Sequence, residues 1–122
     1  MRILFVEHRS AFRQAASFLM DRKPDLKVVA QAASVAGARE KMAQGGIDAA
    51  MVSVPLPDRG AAEMVGELRD ADPSVPVLVL MRAEDPQTRK EFLGAGASEV
   101  LSLEETFAEV LAAVRRLGGG GG

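Results

Sequence analysis

The 122-residue sequence has no cysteine, no tryptophan, no tyrosine and a single histidine. Without cysteine there is no disulfide, no thiolate nucleophile and no thiolate metal site. One histidine, His8, cannot build a multi-histidine metal centre. Aromatic residues make up only 4% of the chain, so stacking platforms for bases or sugars are not in evidence. A basic excess is also missing: 15 Lys+Arg stand against 17 Asp+Glu, a formal charge of −2. Direct nucleic-acid binding normally shows as a basic face, and none is expected here. No apolar run approaches the roughly 18 residues that a membrane span needs. The opening run Ile3-Leu4-Phe5-Val6 is cut off by Glu7, His8 and Arg9, too soon for a signal peptide. These absences leave a cytoplasmic, single-domain protein.

What is present is an alternation of short apolar runs with longer amphipathic stretches. Ile3–Val6, Leu26–Ala32, Ile47–Val54, Val75–Met81 and the run around Val100-Leu101 read as strands. Several are apolar without a break, the pattern of strands buried on both faces. Between them lie helices. Ser10–Arg22 carries Phe12, Ala15, Ala16 and Leu19 at helical spacing, with Ser10 as its predicted cap. Ser34 caps a second helix with Val35, Ala38 and Met42 on one face, stopped by Gly45-Gly46. Ala61–Ala71 turns Met64, Val65 and Leu68 inward. Pro86 is a natural first residue for a fourth helix, which Gly94-Ala95-Gly96 closes. Glu104–Leu117 forms the last, with Phe107, Val110, Leu111 and Val114 on one face and Arg115-Arg116 in its final turn.

The order is (βα)5, an α/β doubly wound, five-stranded parallel sheet covered on both faces. The domain is read as residues 1–117, with Gly118–Gly122 a linker or tail. Sites in such sheets form beyond the carboxyl ends of the strands, at the topological switch point. In a flavodoxin-like strand order 2-1-3-4-5, Glu7, His8 and Ser53 meet there. A Ser53–His8–Glu7 nucleophile has the right residue types, but no G-x-S-x-G elbow surrounds Ser53. Gly94-Ala95-Gly96 closes a helix instead of opening one, so it is no phosphate loop. Glu7 alone does not make a metal site. Asp58, Glu84 and Asp85 read as solvated loop acids.

Ile3-Leu4-Phe5-Val6-Glu7, Ile47-Asp48-Ala49-Ala50-Met51-Val52, Leu56-Pro57-Asp58-Arg59-Gly60, Val75-Pro76-Val77-Leu78-Val79-Leu80 and Gly94-Ala95-Gly96-Ala97, in that order and spacing, resemble the response-regulator receiver domain of bacterial two-component signalling. The resemblance covers Arg2 to Leu117 and is closest to receivers that precede a LuxR-type helix-turn-helix domain. It implies phosphotransfer to an aspartate, and that chemistry does not carry over residue by residue. The acidic pair is Glu7-His8, the phosphoacceptor position is Ser53, the switch hydroxyl position is Met81, and the lysine position is Leu103. An acyl phosphate needs a carboxylate nucleophile, Mg²⁺ to offset charge, and hydroxyl and ammonium groups around the phosphoryl oxygens. An atypical, aspartate-less receiver is therefore expected, with no enzymatic activity, no cofactor and no metal.

The expected function is a phosphorylation-independent regulatory and interaction module, a homodimer that controls a transcriptional effector, such as a C-terminal DNA-binding domain absent from this chain. Its candidate interface is Arg89, Lys90 and Phe92 in the fourth helix and Phe107, Arg115 and Arg116 in the last. The alternative is a small-molecule sensor that binds in the vacated pocket of Glu7, His8, Ser53, Met81 and Leu103.

Overall fold

A computed structural model of the chain describes residues 1–119. The elements run β1 (Arg2–Val6), α1 (Ser10–Asp21), β2 (Lys27–Ala32), α2 (Val35–Ala43), β3 (Ala49–Ser53), α3 (Ala61–Ala71), β4 (Val77–Met81), α4 (Pro86–Ala95), β5 (Glu99–Ser102) and α5 (Phe107–Gly119). The five strands form one parallel sheet in the order β2-β1-β3-β4-β5, the expected (βα)5 arrangement.

The alternation of side chains along each strand divides the core in two. Leu4, Val6, Ala50, Val52, Val77 and Val79 face one side, where they pack with Val35 and Met42 of α2, Met64 and Leu68 of α3, and Phe92 of α4. Ile3, Phe5, Met51, Leu78 and Leu80 face the other, against Met20 of α1 and Val110, Leu111 and Val114 of α5. Strands β3 and β4 are buried along their whole length, which is why their sequences are apolar without alternation.

Helix ends follow their local chemistry. Ser34 Oγ accepts from the Gly37 amide at 3.1 Å. Pro86 opens α4, Asp85 caps it by accepting from the Gln87 amide at 3.1 Å, and Gly96 closes it at φ 116°, a backbone conformation that suits glycine.

Three expectations need correction. Ser10 does not cap α1: the helix starts on it, and the preceding residue, Arg9, makes no side-chain cap bond. Phe12, Ala15 and Leu19 do not face inward; Ser17 and Met20 are the buried residues of α1. Two stripes of that helix have i, i+3, i+4, i+7 spacing, one through Phe12 and Leu19 and the other through Arg13, Ala16, Ser17 and Met20. The stripe that ends on Met20 docks, because Met20 reaches the core beside Phe5 and Leu26. The last helix begins at Phe107, not Glu104. Ser102 folds the intervening segment into a turn, accepting from the Glu104 amide on Oγ at 3.1 Å and from the Glu105 amide on its carbonyl at 3.0 Å. Thr106 Oγ1 then accepts from the Glu109 amide at 3.2 Å. At its far end α5 runs two residues past Leu117, to Gly119. The rest of the expected glycine tail, 120–122, lies outside the described residues.

Candidate functional site

β1 and β3 are neighbours, with Val6 opposite Val52. The chain leaves these two strands in different directions, and Glu7, just after β1, and Ser53, the last residue of β3, meet at the switch point. Both are buried to 2% exposure.

The Glu7 carboxylate is fully engaged by the chain itself. Arg9 Nη2 lies 2.8 Å and Nε 3.2 Å from Oε1, and the Arg9 backbone amide donates to Oε2 at 2.8 Å. Ser53 lies beside the same carboxylate. Burial pushes the Glu7 pKa up, but the side-chain and backbone hydrogen bonds from Arg9, the nearby Ser53 hydroxyl and the Arg9 charge outweigh it. The net shift is below the usual glutamate value. Arg13 completes the knot by donating to the Glu7 carbonyl at 2.8 Å. Glu7 is therefore a stable anion with a resident counter-charge.

A receiver of the phosphorylated kind holds a divalent cation beside its acidic residues, and these residues do not fit one. The one carboxylate here is neutralised by a guanidinium lying on it, and its neighbours are a serine hydroxyl and an exposed His8. Among the described residues no group of three or more His, Cys, Asp or Glu is placed to hold a metal ion.

The five residues expected around a vacated pocket do not share one. Glu7 and Ser53 come together. His8 turns to solvent and does not pair with Ser53. Met81 is 3% exposed and packs into the core under α3 and α4. Leu103 packs on the opposite face of the sheet, toward α1 and α5. The Leu103 amide still donates to the Met81 carbonyl at 2.6 Å, so the two positions are adjacent in backbone and divergent in side chain. Beside Met81 an open apolar groove of about 380 Å³ lies between the loop after β3 and the start of α4, lined by Leu56, Met64, Met81 and Phe92 with Arg59 and Arg82 at its rim.

The expected interface residues also fall differently. Phe92 is 1% exposed and cannot be a contact residue; at i+6 from Pro86 it points into the sheet. Arg89 is committed internally. Its Nε donates to Glu84 at 3.0 Å, and its other nitrogens reach Glu84 and the Val100 carbonyl. Arg115 is paired with Asp25 at 2.7 Å and Arg116 with Glu99. Lys90 and Phe107 are exposed.

The loop acids are structural as well. Asp58 accepts from the Val35 and Ala36 amides at 3.0 and 3.1 Å, capping α2 from the loop after β3. The Val35 amide bond and its companions hold the Asp58 pKa below the usual aspartate value despite opposing burial. Arg9 was not singled out by the sequence, and Asp58, expected as a solvated loop acid, is instead a cap. Arg9 had a local signal, a basic residue two positions after a lone buried acid. Asp58 had none, since its partner helix lies 22 or more residues away.

Comparison with known proteins agrees with this frame. The chain is 27% identical over 120 residues to the DNA-binding transcriptional activator DevR/DosR of Mycobacterium tuberculosis, covering 98% of this chain and 55% of that protein. The chain thus spans about half the length of that relative. Its fold matches a LuxR-family two-component response regulator from Aurantimonas sp. SI85-9A1 with a TM-score of 0.90 at 24% identity, over 98% of this chain and 85% of the other. It matches the signal receiver domain of the response regulator NarL from Mycobacterium tuberculosis with a TM-score of 0.88 at 22% identity, over 98% and 96%. The family model described as the response regulator receiver domain matches residues 3–115. The family match spans nearly the whole sequence, and the fold agrees with it: the chain belongs to the response-regulator receiver domain family, a regulatory module and not an enzyme.

Proposed function

We propose that this domain is a phosphorylation-independent receiver that regulates a transcriptional effector through protein contacts. The observation that carries the reading is the Arg9–Glu7–Ser53 cluster. A guanidinium replaces the cation, a buried hydroxyl replaces the nucleophilic carboxylate, and the switch and lysine positions have become core side chains, Met81 and Leu103. A lysine at position 103 without its acids would be a poorly paired charge, and leucine removes that cost. The cluster is internally neutral and needs no phosphoryl group to complete it. The similarity to a DNA-binding transcriptional activator of about twice the length supports a DNA-binding effector as what this module regulates.

The test is exposure of the purified chain to acetyl phosphate and Mg²⁺, followed by intact-mass measurement beside a receiver that keeps its aspartate. No acid-labile adduct is expected on this chain. An adduct at any residue overturns the reading.

The groove beside Met81 favours a second reading, a small-molecule sensor. Its walls are apolar and its rim carries charges of both signs, Arg82 and Asp85, with Arg59 paired to Glu67, a combination that suits a largely apolar ligand. Such a ligand would bind next to the repacked switch position, not in the Glu7–Ser53 junction. Loss of binding in Met81→Trp, with stability kept, would distinguish it from surface adsorption.

A further inference from the structure

We propose that the groove between α1 and α5 binds a small, neutral, fused-ring aromatic molecule that carries one N–H or O–H group. The site lies on the opposite face of the sheet from the groove beside Met81. It goes beyond the regulatory reading above and does not depend on it. The chain holds only five phenylalanines, and three of them, Phe5, Phe12 and Phe107, line this one groove. Phe5, Met51 and Leu80, from the neighbouring strands β1, β3 and β4, form its floor. Ala16 is the smallest side chain in the α1 stripe that docks, and it leaves room above the sheet. Phe12 and Phe107 stand on the two walls, 37% and 39% exposed. The Phe5 and Phe12 ring centres lie 6.5 Å apart with the rings tilted by 56°. A third ring placed between the walls meets these faces and edges in the offset and tilted contacts that aromatic groups prefer.

Volume and charge define the ligand. An apolar cavity of about 150 Å³ takes up benzene. The groove here is about 250 Å³, room for two fused rings and too little for a nucleotide or a peptide. At the carboxyl edge of the sheet, Arg9 and Glu105 stand at its mouth. A ligand with a net charge of either sign meets one like charge there. A neutral ring with one polar hydrogen places that group on the Glu105 carboxylate and its apolar body on the phenylalanines. Arg9 links the site to the switch point. Its guanidinium lies 4.5 Å from the Phe12 ring centre and also holds the Glu7 carboxylate. A ligand against Phe12 therefore bears on the group that neutralises Glu7.

The experiment titrates indole, and separately naphthol, with the full chain. The chain has no tryptophan and no tyrosine, so the emission of either probe is read without protein background. A blue shift and a rise in anisotropy that saturate at one probe per chain are expected. Ala16→Phe fills the groove from the α1 wall and should raise the dissociation constant by about tenfold or more. Glu105→Leu removes the acceptor at the mouth and should raise it by about threefold or more. Amide chemical shifts on indole addition should centre on Phe12, Ala16, Leu103 and Phe107 and include Arg9. Circular dichroism separates loss of fold from loss of binding, and the exposed Glu105 substitution and the shift map decide the matter if Ala16→Phe does not fold. Absence of saturable binding by both probes overturns the proposal. So does binding that a folded Ala16→Phe chain and Glu105→Leu both leave unchanged, or a shift map centred on Leu56 and Phe92, which places the probe in the other groove. The acetyl phosphate experiment is read separately, so failure of the phosphorylation-independent reading and failure of this site are distinct results.

Discussion

Arg9 lies across the Glu7 carboxylate, with its guanidinium on one oxygen and its own backbone amide on the other, at 2.8 Å in each case. Two residues apart in sequence, they close the switch point of the sheet with charges that cancel. Glu7 is buried and Arg9 is partly exposed, 3% and 42% by side chain. The guanidinium therefore remains in contact with water while the carboxylate depends on it.

This relationship predicts a pH effect. Glu7 is held below the usual glutamate pKa in the folded protein, with burial opposing and the Arg9 bonds prevailing. The unfolded chain binds a proton first as pH falls. The stabilisation is therefore complete above about pH 5 and is lost progressively below about pH 4. Glu7→Gln removes the charge-assisted bonds and should cost about 2 kcal/mol at neutral pH. The difference between variant and wild type should shrink in acid. Urea titrations at several pH values measure both; a constant difference at all pH values contradicts the assignment.

Asp58 should behave as a cap placed at long range. Its carboxylate takes the first two amides of α2, while Ser34 takes the next. Asp58→Ala should destabilise by about 1 kcal/mol, in the range of an ordinary N-cap. Asp58→Asn should recover part of that loss, since an amide oxygen can still accept. The effect should appear in hydrogen exchange as faster opening of α2, with α5 unaffected.

The sequence carried the sheet well and the helix faces less well. Strands β1, β3 and β4 are legible because burial on both sides makes them apolar throughout, and Pro86 and Gly96 mark α4 by backbone geometry alone. α1 was misread because two of its stripes have helical spacing, and which one docks depends on the sheet beneath it. The identities of Glu7, Ser53, Met81 and Leu103 were enough to expect that phosphotransfer chemistry is missing. Their arrangement was not legible. That Met81 and Leu103 leave the junction on opposite faces follows from strand pleat and crossover geometry. Asp58 reaches α2 only because the loop after β3 lies over the start of that helix.

Phe92 offers a direct check on the core. It belongs with the packed face under α4 and is not available to a partner. Phe92→Ala should cost about 3–5 kcal/mol, the usual range for emptying a buried phenylalanine site. Lys90→Ala, on the exposed side of the same helix, should stay within about 0.5 kcal/mol of wild type. Thermal or urea unfolding decides between core and surface roles for the two positions.

Restoring the missing nucleophile should not restore the chemistry. Ser53→Asp puts a second carboxylate beside Glu7 in a buried junction that holds one guanidinium. Like charges in low dielectric raise the pKa of one of them, and the variant should lose several kcal/mol at neutral pH. Its stability should rise in mild acid, as the shared proton binds, until the Arg9 pair itself titrates. Acetyl phosphate should still leave no adduct. Arg9 already lies on the Glu7 carboxylate, and Met81 and Leu103 turn to opposite faces of the sheet, so neither offers the hydroxyl or ammonium that phosphoryl oxygens need. Intact mass after acetyl phosphate treatment, and unfolding midpoints from neutral to mildly acidic pH, read the two halves of this prediction. A stable, phosphorylated Ser53→Asp chain would mean that the serine alone had silenced the site, and that Arg9, Met81 and Leu103 are passengers.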